Sequence, residues 1–175
     1  DADSLSVIKK VMRSLGAGDL AKVRGRERGP AFFGDQISKI KNGMVSLGEL
    51  SDRGEFIKSL FEEYEKELEK QNAFDFDDLI QKVVLIFRKH PETLAKYHRR
   101  FTHFFVDEYQ DVNNMQYEMV RVLATPTGHI SVVGDDQQTI YSWRGSNFEI
   151  FMNFERDWPN AHVVVLDQNY RSSQN

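Results

Sequence analysis

Near the middle of the chain an apolar run, Phe104-Phe105-Val106, leads directly into two adjacent carboxylates, Asp107 and Glu108. Paired like charges repel and resist desolvation, so packing gives no reason to end a buried strand this way. Phosphoryl transfer does give one. One carboxylate holds Mg²⁺, largely through water, and its neighbour polarises the attacking water. The same pair could instead solvate a strand end and cap the next helix. A second apolar run, residues 129–133, ends in Gly134-Asp135-Asp136-Gln137-Gln138, with Tyr141, Trp143 and Arg144 close behind. Gly134 allows a sharp exit from a strand. A Trp beside an Arg on a loop suits base stacking and phosphate contact on single-stranded nucleic acid, although a hydrophobic plug with a salt-bridged neighbour reads the same. A third run, residues 162–166, gives way to a polar stretch with Tyr170 and Arg171. There the Arg could reach a γ-phosphate and the Tyr could stack on a purine. Each signal alone has a structural explanation. Three at one edge of one sheet describe a nucleotide hydrolysis site facing a nucleic-acid contact.

Positioning these groups requires parallel strands. The apolar runs at 101–106, 129–133 and 162–166 have strand length, and helical patterns over 115–123 and 147–157 separate them. Strands alternating with helices predict βαβ units with right-handed crossovers, and function in such sheets gathers at the carboxyl ends of the strands. Ser146 with Glu149 reads as a capping box for the second of these helices. Asp75 with Asp78 reads as a cap for a helix through Leu79, Ile80, Val83, Val84 and Phe87. Pro91 suits the first turn of another.

Upstream the grammar is different. Leu5, Ile8, Val11, Met12 and Leu15 fall at helical spacing behind Asp3 or Ser4, and Gly16 can close that helix. Phe56, Leu60, Phe61, Tyr64 and Leu68 form the stripe of a second helix whose solvated face is dominated by the acids of residues 62–69. Residues 22–30 read as a polar, glycine-punctuated loop. Nothing in residues 1–73 alternates with period two. The expected organisation is an all-α subdomain over 1–73 followed by a parallel-sheet α/β unit over 74–175.

The chain contains no cysteine, which removes disulfides and thiolate metal sites. Its apolar runs are far shorter than the roughly 20 residues of a membrane helix, so no membrane partner is expected. Lys/Arg and Asp/Glu balance in residues 1–73, so the net charge of −4 sits in residues 74–175. Nucleic-acid binding would therefore rest on a few placed groups and not on a general positive field. The stretch at 22–28 is rich in Arg and could touch DNA, but it reads more readily as a solvated loop.

The stretches FFVDEYQDVNNMQY, VVGDDQQTIYSWRGS and LDQNYRSS closely resemble helicase motifs II, III and IV of the UvrD/PcrA/Rep-type superfamily 1A DNA helicases. AFDFDDLI resembles the segment where that family's chain re-enters its motor domain. The likeness runs almost continuously over 74–175, and residues 1–73 resemble the helical 1B insertion loosely. It implies a RecA-like, P-loop NTPase motor fold, ATP and Mg²⁺ as cofactors, and single-stranded DNA or its junctions with duplex as partner. It also implies roles. Asp107 would hold Mg²⁺ and Glu108 would be the catalytic base. Gln138 would sense the γ-phosphate, Arg171 would stabilise charge on it, and Tyr170 would stack on adenine. Trp143 would stack on a DNA base, with Arg144 and Tyr141 coupling that contact to the nucleotide. Gln110 and Asp111 would hold hydrogen bonds inside the motif.

Two residues depart from the family pattern: Gln137 stands where Asp is usual, and Tyr109 where Phe is common. A larger departure is that no G-x-x-x-x-G-K-[ST] occurs in the chain, so the backbone cradle, its Lys and its hydroxyl ligand for Mg²⁺ are lacking. The expectation is an excised segment of a 3′→5′ DNA helicase of repair or replication, inactive by itself and prone to self-association through unpaired strand edges. The intact parent is expected to be a monomer or weak dimer in the bacterial cytosol and nucleoid. Two alternatives stand beside this reading: a non-catalytic module binding single-stranded DNA or protein, and the motor half of a RecB- or AddA-like helicase–nuclease. Retention of Glu108, Gln138 and Arg171 argues against the first. The close match of DEYQD, GDDQQ and NYRSS favours the simpler helicases over the second.

Overall fold

The computed structural model describes residues 2–19, 21–23, 26–48, 54–138 and 146–168. Its first helix, α1 (Ala2–Ser14), starts one residue ahead of the expected caps, and Gly16 follows it at φ 75°. That left-handed conformation costs glycine nothing and ends the helix. Helix α2 (Pro30–Lys41) begins on a proline at its first position, and α3 (Glu55–Lys70) carries the second apolar stripe. The three helices pack together around Ile8, Met12, Phe33, Ile37, Leu60 and Tyr64. Phe33, Leu60 and Met12 are fully buried, each worth about 1.5–3 kcal/mol relative to exposure.

The expected loop at residues 22–30 is replaced by a hairpin. Strands β1 (Ala21–Val23) and β2 (Arg26–Arg28) pair antiparallel with Lys22 opposite Glu27. The all-α reading of residues 1–73 is corrected accordingly. Opposite charges across the strands favour this register, and Ala21 is buried in the helical core.

Helix α4 (Asp78–Lys89) starts directly after the Asp75–Asp78 turn, with Asp77 and not Asp75 as its N-cap residue. The backbone N–H of Asp78 donates to Oδ1 of Asp75 at 2.9 Å, and that of Asp75 donates to Oδ2 of Asp78 at 3.2 Å. This is the reciprocal exchange of a capping box. Helix α5 (Pro91–Arg100) follows, and both pack on α6 (Asn114–Ala124). Strands β3 (Phe104–Val106) and β4 (Ile130–Val132) flank α6 in the chain and pair parallel, Val106 beside Val132.

Two expectations fail downstream of β4. The helix foreseen over 147–157 divides at Asn153 into α7 (Phe148–Met152) and α8 (Phe154–Asp157), and its cap is Asn147, whose side chain accepts from the N–H of Glu149, not Ser146. The third strand does not form. Residues 161–168 join no sheet, and Val163 to Leu166 are 64–84% exposed. An apolar run becomes a strand only when a neighbour satisfies its backbone, and among the described residues none pairs with it.

Candidate active site

The parallel pair delivers two strand ends to one edge, and the ladder continues past both strands. Val133 donates its N–H to the carbonyl of Val106, and Tyr109 donates its own to the carbonyl of Val133, each at 2.9 Å. Asp107 and Glu108 therefore leave the sheet beside Gly134, Asp135 and the 3-10 turn Asp136–Gln138. Of the eight side chains given a nucleotide, metal or DNA role above, Asp107, Glu108 and Gln138 lie along this edge. Tyr141, Trp143, Arg144, Tyr170 and Arg171 lie outside the described residues.

Glu108 adopts φ 50°, ψ 44°. A left-handed backbone is uncommon for a residue with a β-carbon, and such conformations gather at functional sites. Its own N–H donates to Oδ1 of Asp107 at 2.9 Å. The bend lets the chain turn into the short 3-10 helix Tyr109–Asp111, which sends Tyr109 and Gln110 inward while both carboxylates stay in solvent. Tyr109 stacks edge-on against Phe154, ring centroids 5.5 Å apart.

Gln110 is 1% exposed, and both ends of its amide are occupied. Nε2 donates to Oε2 of Glu108 at 2.7 Å, and Oε1 accepts from the N–H of Asp135 at 3.1 Å. On the second strand end, Oδ1 of Asp135 accepts from the N–H of Gln137 at 2.9 Å, and Oδ2 accepts from Nε2 of Gln138 at 2.7 Å. Gly134 is required here for room and not only for a sharp turn. A β-carbon at that position would stand 2.6 Å from Cε2 of Phe151 and 2.8 Å from Oε1 of Gln110. Sequence reasoning gave Asp135 no role. Its signal, an acid two residues before an amide pair, matches countless turns. Asp111 does not complete the hydrogen bonding expected of it, since its buried Oδ1 has no partner among the described residues.

The donor set fits Mg²⁺. Among the described residues no three His, Cys, Asp or Glu side chains converge, so no all-protein cage forms there. Asp107 offers a solvent-facing carboxylate, and Mg²⁺ characteristically takes one or two carboxylates while keeping water and substrate phosphate for the rest. A polar cavity of about 320 Å³ between α6 and the α7–α8 pair, lined by Asn114, Tyr117, Asn147 and Asp157 among others, contains none of these residues. The candidate site is thus an open sheet edge.

An acidic strand end and an amide-bearing strand end thus share one edge of a parallel pair, and the comparisons give the family. Residues 4–159 match the model of the UvrD/REP helicase N-terminal domain. The chain belongs to that family. It is 43% identical over 144 residues to an ATP-dependent DNA helicase PcrA of Leuconostoc citreum, covering 79% of this chain and 19% of that protein. It is 36% identical over 178 residues to the PcrA helicase of Staphylococcus epidermidis, covering 99% and 24% respectively. The Staphylococcus aureus PcrA is 34% identical over 177 residues, covering 98% and 23%. The chain thus spans 19–24% of the length of these relatives. Among the described residues no helix is long and apolar enough to cross a membrane.

Proposed function

We propose that this chain is part of an ATP-dependent 3′→5′ DNA helicase, in which ATP hydrolysis drives movement along single-stranded DNA and separation of duplex in repair or replication. The observation that carries the proposal is the shared edge: the Asp107–Glu108 pair and the Gly134–Gln138 turn leave adjacent parallel strands side by side. In this reading Glu108 accepts a proton from the attacking water. The water oxygen bonds to the γ-phosphorus, the bond to the bridging oxygen breaks, and ADP and phosphate leave. Gln138 reports on the γ-phosphate through its amide, Arg171 offsets charge there, and Tyr170 stacks on adenine. Asp107 would hold Mg²⁺, which neutralises charge on the phosphates when bound. Trp143 stacks on a DNA base, with Arg144 and Tyr141 beside it.

The whole protein would supply the phosphate-binding loop and a second motor domain. By itself, the chain without G-x-x-x-x-G-K-[ST] is expected to bind ATP weakly and to give no measurable turnover. The test is Mg-ATP hydrolysis by the longer protein with and without single-stranded DNA. DNA-stimulated turnover that falls by about 10²–10⁴ in Glu108→Gln, with DNA affinity kept, supports the reading. Absence of hydrolysis in the unsubstituted protein overturns it.

A further inference from the structure

The side chain of Gln110 has no reason from packing alone to be where it is. A primary amide that is 1% exposed carries a desolvation cost unless both ends are paired, and an apolar residue of similar volume would fill the space without that demand. Here both ends are paired, and the partners are unusual. One is the carboxylate of Glu108, the residue read above as the base, on a left-handed backbone that does not by itself fix where the side chain points. The other is the backbone of Asp135 on the neighbouring strand end. From Asp135 the connection continues through its carboxylate to the amide of Gln138. The chain of contacts Glu108–Gln110–Asp135–Gln138 thus joins the two groups that would address one γ-phosphate from different strands. Gly134 keeps the passage open, because any β-carbon there would collide with Oε1 of Gln110.

We propose that Gln110 is a positioning residue for nucleotide hydrolysis: it aims the Glu108 carboxylate and fixes it relative to the strand end that carries Gln138. This rests on the functional reading of Glu108 given above. Gln110 does not meet substrate. It is buried behind the edge, and its amide nitrogen is engaged by Glu108. The hydrogen bond holds Oε2 of Glu108 while the residue stays exposed at the edge. A base loosened from this tether would still lie near the nucleotide, but it would spend less time within reach of the proton it must take, and small misplacements of this kind are costly.

The experiment uses the longer protein and compares Gln110→Met, Gln110→Glu and Glu108→Gln in ATP turnover at saturating single-stranded DNA. KM for ATP and DNA affinity are measured alongside. Gln110→Met keeps the volume and removes both hydrogen bonds. Gln110→Glu keeps the shape and an acceptor for the Asp135 N–H, but sets a like charge against Glu108, and it carries the test if the Met variant does not fold. The expected result is a fall in kcat of about tenfold or more in each, per DNA-binding-competent molecule. KM for ATP and DNA affinity stay near those of the unsubstituted protein. Gln110→Met added to Glu108→Gln produces no further fall, because the two act through one group. Unchanged kcat in the Gln110 variants, with Glu108→Gln inactive, overturns the proposal and leaves Gln110 a structural strut. A further fall in the double variant as large as the single one also overturns it. Full turnover by Glu108→Gln overturns the assignment of the base itself, a separate failure.

Discussion

Nζ of Lys41 lies 2.8 Å from Oδ2 of Asp75, where the last residue of α2 meets the turn that starts α4. Lys41 is fully buried and also reaches Glu65 at 2.6 Å and Asp78 at 3.0 Å. One ammonium thus ties α2, α3 and the start of α4 together. Burial alone would lower its pKa, but the three carboxylates outweigh that and hold it above the ordinary lysine value. A buried charge of this kind stabilises only as a set. Lys41→Met leaves the nearly buried Asp75 without its ammonium, while Glu65 and Asp78 keep only Lys82, so the expected cost is about 3–5 kcal/mol, read as a shift in the urea midpoint. A midpoint within experimental scatter of the unsubstituted chain would refute this.

The same junction should set the acid limit of stability. Burial pushes the Asp75 carboxyl up, but Lys41, the N–H of Asp78 and the Tyr64 hydroxyl pull it further down, below its ordinary 3.8. Tyr64 donates to Asp75 at 2.9 Å, and burial with that carboxylate beside it pushes its own pKa up to about 12. A carboxyl with a lower pKa in the folded state binds fewer protons there than in the unfolded chain. Its contribution is complete above about pH 4 and is lost as pH falls through the folded value. Melting temperature followed from pH 6 downward should drop below about pH 4, and Asp75→Asn should be less stable at pH 6 with a flatter acid limb. Parallel acid limbs would sink the assignment.

Tyr109 stands where the family commonly carries Phe, and its surroundings favour the phenyl ring. The hydroxyl is buried without a hydrogen-bond partner among the described residues. Burial, then the neighbouring Tyr117 and Asp157, hold its pKa well above the usual tyrosine value. The ring makes the useful contacts, with Phe154 and Phe151. Tyr109→Phe removes an unpaired polar atom and keeps those contacts, so stability should rise by about 1 kcal/mol. A loss of stability would show that the hydroxyl has a partner after all.

What could be read from sequence follows the length of each pattern. Helices α1, α3 and α4 run for several turns, so their stripes stand out, and the Asp75–Asp78 cap is a local exchange visible in four residues. The hairpin Ala21–Arg28 escaped because three-residue strands carry too few alternations to register. Val163 to Leu166 misled in the opposite sense, since an apolar run records a wish to pair and not the presence of a partner. At the site, Asp107, Glu108 and Gln138 were visible as residue types at strand ends. Lys41 was not, because a lysine in a helix usually means a solvated face, and only the fold brings Glu65, Asp75 and Asp78 around it. Asp135 and the true need for Gly134 depend on contacts across strands that no local window contains.

Gly134→Ala tests that need directly. The backbone at Gly134 is not in the left-handed region, so alanine brings no intrinsic strain, only the clash of its β-carbon with Phe151 at 2.6 Å and Gln110 at 2.8 Å. Overfilling a packed site of this kind costs about 1–3 kcal/mol. Gly128 provides the contrast, with φ 66° and nothing within 4 Å of where an alanine methyl group would stand. Its alanine variant would lose stability through backbone strain alone, of order 1 kcal/mol. Melting temperature should therefore fall in both variants. ATP turnover per folded molecule of the longer protein should fall only in Gly134→Ala, because the displaced amide of Gln110 is the one that holds Glu108. Equal turnover in the two would mean that Phe151 alone gives way and that the Glu108 tether survives the clash.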